Sequence, residues 1–488
     1  MTLSYDNHPA LRGAMEPARF ASEVYDCLVE GTIPAGLNGS FFRVGAEWFY
    51  PPKFPDDSPF AADGIASRFR IADGSCDFSA RYVETPRYLA NKAARRQLFG
   101  YYRNPFTDEP EAEGVHGTVA NTNIIVFAGK LMALKEDALP YVVDPDTLRT
   151  EGTNDFGGDY KAPTFTAHPK VDGQSGEMVT YGYEAEGLAS NAIWIYTIAP
   201  DGTVTSERKI AAPYLSMVHD IAISQNYILI PVYGMVSSME RLREGKVHWV
   251  WDDTVPSYIG VMPRRGDGEV VWIAGPEMAM VHTFSATDEG GVITLHAAVS
   301  DSNPFPFFPD VHGKPFNGAK ARTTVRKYVI DLSRPQDGWQ EEVLFPEYAG
   351  ALSRIDDRFQ GHPFRYGFLS ASHPSLAYDA QVMGPRAPSN GICRFDFQTG
   401  QVDTMHAGPT VALSEVVFAP RSPDAPEGDG WVLAFATDYA DMKSQVIIGD
   451  TANLAAGPVA RIKLPFRAPG QIHGNWVPQW MMPGEGQA

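Results

Sequence analysis

Asn191–Ile210 reads NAIWIYTIAPDGTVTSERKI. A run of β-branched and aromatic residues stops at Pro200-Asp201-Gly202, and a second run resumes after it. Proline and glycine at that spacing close a tight turn between two antiparallel strands, so the stretch predicts a hairpin. The same grammar recurs in NTNIIVFAGKLMALKED (121–137), EMVTYGYEA (177–185), GGVITLHAAVS (290–300), ICRFDFQTGQVDTM (392–405) and GWVLAFATD (430–438). Helical periodicity is confined to short candidates such as Tyr88–Leu98 and Ser238–Glu244. The chain therefore reads as all-β, with many hairpins and long insertions.

No internal stretch has the composition of a linker, so the 488 residues are expected to form one domain over 1–488, with Pro483–Ala488 as a loose tail. So many hairpins without a domain break suggest sheets arranged in a ring, because a β-propeller leaves few exposed edges. An array of β-sandwiches is the alternative from pattern alone.

The formal net charge of −19 argues against nucleic acid or an anionic membrane surface as partner. Cys27, Cys76 and Cys393 are too few and too scattered for a disulfide framework or a cysteine metal site, the usage of a reducing compartment. The N-terminal residues lack a basic start followed by an apolar core, and no run approaches the roughly 20 apolar residues of a membrane span. A soluble, cytoplasmic protein is expected.

Four of the twelve histidines share a setting. His168 ends TFTAHPK, His219 lies in SMVHDIAIS, His282 in MAMVHTFSA and His473 in GQIHGNWVP, each at the border of an expected strand and beside small or turn-forming residues. Their separations are 51, 63 and 191 residues, the last about three times the others. A propeller blade takes roughly 40 to 50 residues or more, so such spacing would bring one histidine from each of four blades toward a common axis. Four imidazoles with no cysteine nearby suit a first-row metal such as iron better than structural zinc. From spacing alone, the plainer reading of satisfied core histidines stays open.

The segments IPAGLNGSFFRVG (33–45), FAADGIASRFRI (60–71), NTNIIVFAGKLMALKEDALPYVVDPDTLRTEG (121–152), TAHPKVD, VHDIAIS, VHTFSA and IHGNWVP, in that order, resemble the motifs of the carotenoid cleavage oxygenase family along nearly the whole chain. The resemblance implies a seven-bladed β-propeller with short helices and long loops capping an axial metal site. It also implies one non-haem Fe(II) per chain held by His168, His219, His282 and His473, with O2 as co-substrate for cleavage of a carbon–carbon double bond. Glu136 in ALKEDALP and Glu415 in LSEVVFAP match carboxylates that orient the ligands from behind. A third is expected at the start of ALSRIDDRF, where this chain has Ala351, so one ligand is left to water or a backbone carbonyl.

LFGYYRNPFTDEP (98–110), Phe60 and Lys135 look like the lignostilbene dioxygenase branch, which cleaves hydroxylated stilbenes into two aromatic aldehydes. By that resemblance Tyr102 and Lys135 contact the substrate's 4-hydroxyl and Phe60 packs on its ring; Tyr101 is the adjacent register. Thr122, Phe305 and Phe307 are candidates for the wall of a substrate tunnel, although NPFPFFPD (303–310) could equally pack a loop core. In a regular strand Lys135 and Glu136 would point to opposite faces, so both reach one cavity only if the strand ends or bulges there. The charged piece SSMERLREGKVHWVWDD (237–253) reads as a solvated helix and strand. The expected partner is a small phenolic hydroxystilbene, in a lignin-catabolic setting, with a homodimer as the assembly. An apocarotenoid-cleaving enzyme and a non-catalytic propeller scaffold are the competing readings.

Overall fold

The computed structural model describes residues 11–483; the expected tail, but for Pro483, lies outside the described residues. The opening hairpin is present as Ala192–Ile198 paired with Val204–Ala211, turned by Gly202, whose N–H bonds the Ala199 carbonyl at 2.8 Å and whose φ is 91°. Val204–Ala211 alternates half-buried and exposed residues and carries Glu207, Arg208 and Lys209, as suits an outer edge that must not recruit another strand.

Seven antiparallel sheets of four or five strands form the ring of a β-propeller. Blade 2 spans 123–153, blade 3 170–211, blade 4 222–275, blade 5 279–344 and blade 6 354–406. Blades 1 and 7 are each built from both ends of the chain. In blade 1, Gly39–Glu47 pairs with Gln471–Pro478; in blade 7, Leu28–Gly31 pairs with Ala460–Lys463. The ring is therefore sealed by hydrogen bonds at two seams.

Its cohesion comes from between the sheets. Seven apolar clusters each join one neighbouring pair of blades: Tyr181 and Ile195 with Ile228 and Ile230 between blades 3 and 4, for example, and Phe41 and Phe69 with Leu433 and Ile448 across the closing pair 1 and 7. Seven interfaces among seven blades mean that the ring has no unpaired sheet face. Each fully buried side chain of this kind contributes about 1.5–3 kcal/mol.

Short helices sit in the insertions. Pro86–Ala94 starts at Thr85, whose hydroxyl accepts the Tyr88 N–H. It stops short of the expected Leu98 because Arg95 turns left-handed (φ 56°) and Asn91 caps the chain by accepting the Leu98 N–H at 2.9 Å. Met239–Arg243 forms behind its Ser238 cap. The segment after it corrects the sequence reading: His248, Trp249, Val250 and Trp251 are buried, because Trp249 and Trp251 join the apolar cluster between blades 3 and 4. Among the described residues no helix is long and apolar enough to cross a membrane.

Candidate metal centre

Each sheet runs outward from an inner strand, and those of blades 4, 5, 6, 7, 1 and 2 touch in succession around the axis. His168 and His219 stand just before the inner strands Lys170–Val171 and Ala222–Ile223 of blades 3 and 4. His282 lies within Ala279–Glu289 of blade 5, where register shifts at Met280/His282 and Thr283/Ser285 re-aim the side chain. His473 lies in Gln471–Pro478, opposite Val44 and beside another register shift.

The four imidazoles converge. His168 and His219 Nε2 are 3.1 Å apart, His219 and His282 Nε2 3.1 Å, and His282 and His473 Nε2 3.3 Å. All four rings are buried. Two donors at right angles on a metal about 2.1 Å away would stand about 3.0 Å apart. Burial, reinforced by the neighbouring imidazoles, holds His168 and His282 well below the ordinary histidine range; burial also lowers His473, against the pull of Glu415.

The backing of the rings shows which nitrogens are free. Glu136 Oε1 accepts a hydrogen bond from Nδ1 of His219, and Glu415 Oε1 lies 2.8 Å from Nδ1 of His473. With the proton on Nδ1, each Nε2 presents a lone pair to its neighbours, an arrangement that a cation satisfies and that neutral rings alone do not. The cluster fits a mononuclear metal ion. At His282 the carboxylate is missing: Nδ1 has no well-formed hydrogen bond and faces the backbone carbonyl of Ala351.

The two carboxylates are themselves held. Despite burial, His219 and Lys135 keep Glu136 down to about 2. Glu415 sits at a bulge between Leu413 and Val416, also lowered to about 2, by Arg354, His473 and Arg43 against the cost of burial. Its Oε2 accepts from Arg43 Nη1 and the Gly474 N–H, both at 3.1 Å. Behind blades 3, 4 and 5, Asp220 binds Lys170 Nζ at 2.7 Å and accepts the Thr283 N–H at 2.8 Å, latching together residues adjoining three of the histidines.

Lys135 and Glu136 share the interior because the strand Lys130–Leu134 ends before them and the chain turns. Lys135 Nζ donates to Asn121 Oδ1 at 3.0 Å and Thr122 Oγ1 at 3.2 Å. It lies over the rings of Tyr102 (4.7 Å) and Phe60 (5.2 Å). Burial brings its ammonium down to about 8, against the opposing pull of Glu136 and Asp137. Tyr102 is buried, its hydroxyl without a well-formed hydrogen bond, and burial pushes its pKa well up. Tyr101 turns away, stacked on Phe54 and donating to Asp56 at 2.8 Å.

Phe60 is edge-packed by Phe305 (5.3 Å), Phe307 (5.1 Å) and Phe308 (5.8 Å). Phe307 also lines a cavity of about 430 Å³ with Trp48, Ala62, Pro469 and Gly470. The aromatic run thus packs a loop core and walls a cavity at once. Sequence reasoning missed Asn121, although it opens the quoted block, and missed Asp220 and Tyr183, whose roles depend on contacts between blades.

A family model described as retinal pigment epithelial membrane protein matches residues 15–478. The isoeugenol monooxygenase of Pseudomonas putida is 39% identical over 471 residues, covering 96% of this chain and 98% of that protein. Isozyme III of the lignostilbene-α,β-dioxygenase of Sphingomonas paucimobilis is 35% identical, covering 97% and 98%. The crystal structure of Pseudomonas brassicacearum lignostilbene dioxygenase matches with a TM-score of 0.94 at 35% identity, over 98% of this chain and 100% of that one.

Proposed function

The chain belongs to the carotenoid cleavage oxygenase family, in the branch of the lignostilbene and isoeugenol oxygenases, and is a dioxygenase that cleaves a carbon–carbon double bond; from that premise we propose Fe(II) as its metal and a 4-hydroxystilbene as its substrate. His168, His219, His282 and His473 would hold the iron, which when bound supplies activation of O2 beside the alkene.

The observation that carries the substrate assignment is Lys135: a buried amine with its pKa brought down to about 8, set over two aromatic rings and one residue from the carboxylate behind His219. An amine so placed takes up the proton of a phenol and then, as the ammonium, stays beside the phenolate. Asn121 and Thr122 fix its position in both states. The Tyr102 hydroxyl supplies a further donor to the same oxygen. Phe60 packs on the ring, and the phenolate pushes electron density through that ring to the alkene carbon that must react with oxygen. Such a substrate parts into two aromatic aldehydes.

The 39% identity to an isoeugenol monooxygenase favours a second reading, in which a propenylphenol replaces the stilbene. Both substrates carry the 4-hydroxyl that Lys135 would address, and they differ in the group beyond the alkene. The test is O2 uptake by the Fe(II)-loaded protein with a 4-hydroxystilbene, its 4-methyl ether and a 4-hydroxypropenylbenzene. Uptake with the free stilbene phenol and not the ether supports the proposal. Uptake with the propenylphenol alone moves the substrate to the second reading, and equal rates with phenol and ether overturn the role of Lys135.

A further inference from the structure

Glu136 has a second carboxylate oxygen, and it is not idle. Oε2 accepts a hydrogen bond from the Tyr183 hydroxyl at 2.5 Å, and that hydroxyl accepts in turn from Arg103 Nη1 at 3.1 Å. Arg103 Nη2 is ion-paired with Glu184, whose Oε1 lies 3.2 Å from His248 Nε2. His248 Nδ1 lies 3.1 Å from the Arg103 carbonyl, so the chain of contacts closes on itself. Tyr183, Glu184 and His248 are buried, as is the Arg103 side chain.

These residues come from three parts of the fold. Tyr183 ends a strand of blade 3, His248 lies in the buried segment after the helix Met239–Arg243, and Arg103 belongs to the insertion between blades 1 and 2. Arg103 (φ 55°) and Glu184 (φ 51°) are both left-handed, a backbone region that side chains other than glycine enter at a cost. Strain on both partners of one buried ion pair marks a contact that the surrounding structure enforces. Asn104 pins the insertion further, donating to the Leu242 carbonyl at 3.0 Å.

We propose that Arg103, clamped by Glu184 and His248, is a positioning residue that sets the grip of Tyr183 on Glu136 and through it the orientation of the His219 imidazole. Arg103 also follows Tyr102 in the chain, so the same clamp registers the lysine pocket against the metal centre. The inference rests on the four-histidine cluster holding a metal. Its physical basis is that a carboxylate bonded at both oxygens has one orientation, whereas one bonded at a single oxygen can swing, and a ligand backed by a swinging partner holds its metal less well.

The test uses the full chain, stripped of metal and titrated with Co(II), reading the dissociation constant and the visible absorption of the bound ion. Tyr183→Phe deletes one oxygen and should weaken Co(II) binding about 10-fold or more. Arg103→Gln should weaken it in the same direction and shift the absorption band, and Tyr183→Phe combined with Arg103→Gln should be no weaker than Tyr183→Phe alone, because both cut one chain. Arg103→Lys keeps a cation beside Glu184 but cannot fork to Tyr183, so it should keep the melting temperature and still show the shifted band. Additive losses in the double variant, a normal band in Arg103→Lys, or unchanged binding in Tyr183→Phe would each overturn the proposal. If Arg103→Gln fails to fold, Arg103→Lys decides beside Tyr183→Phe: a normal band in the one or unchanged binding in the other overturns the proposal. Wild-type protein that binds no Co(II) would overturn the metal reading itself, an outcome distinct from the others.

Discussion

Lys135 Nζ lies 4.7 Å from the centre of the Tyr102 ring, over its face. The amine therefore gains from the aromatic quadrupole while its hydrogen bonds go to Asn121 and Thr122. The Tyr102 hydroxyl for its part faces Arg103.

Replacing Lys135 by methionine should lower kcat/KM for a 4-hydroxystilbene by about 100-fold or more, the usual worth of a positioned proton acceptor. Co(II) affinity should change little, since Lys135 touches none of the four histidines' Nε2 atoms. Steady-state O2 uptake paired with a metal titration checks both halves. A large loss of metal would mean that the lysine serves the centre and not the substrate.

The same substitution has a stability signature with a defined sign. Burial lowers Lys135 from 10.5 to about 8, so between those values the unfolded chain binds the proton and the native chain does not. Native stability contributed by this group therefore rises with pH through that window, and the cost of the buried ammonium is fully present below it. Relative to Lys135→Met, wild-type protein should gain about 3 kcal/mol on going from pH 7.5 to pH 10.5. Urea unfolding of both proteins across that range gives the difference; a flat difference would mean that the amine is not depressed.

Glu415→Gln should be more damaging to the fold than Glu136→Gln. Glu415 neutralises Arg43, which is wholly buried and whose pKa burial lowers to about 10. Removing the counter-charge of such a pair costs about 3 kcal/mol or more. Both variants should hold Co(II) about 10-fold or more weakly. Chemical unfolding separates them: equal midpoints would show that Arg43 finds another partner.

Gly474 follows His473 on the strand that closes blade 1, and a β-carbon there would stand 2.0 Å from the Phe42 carbonyl oxygen. Gly474→Ala must open that seam, so a loss of about 2 kcal/mol is expected together with reduced metal content. Differential scanning calorimetry and metal analysis of the purified variant check this. Gly470, with nothing within 4 Å of an added β-carbon, provides the comparison substitution.

What could be read from the chain followed from local signals. The Pro200–Gly202 turn announced its hairpin because turn chemistry is set within four residues. The four histidines stood out because each borders a strand in a similar local setting. Arg103 was silent, since its partner Tyr183 lies 80 residues away and the meeting depends on how two blades and an insertion dock. Leu28–Gly31 carries little apolar patterning, mostly exposed as it is, so its place in blade 7 could not be anticipated. Lys135 was ambiguous for a related reason: whether it shares a face with Glu136 turns on a strand ending one residue earlier, at Leu134.

The closing seam also imposes an order of events. His473 belongs to the strand that pairs with Gly39–Glu47, about 430 residues upstream, so the fourth donor is among the last parts of the ring to leave the ribosome. A nascent chain can gather three of the imidazoles but cannot present all four until residues 471–478 have emerged and zipped onto the first blade. A complete donor set is in this sense a sign that the ring has closed, and a chain truncated before residue 471 would lose its blade-1 seam and its fourth donor together.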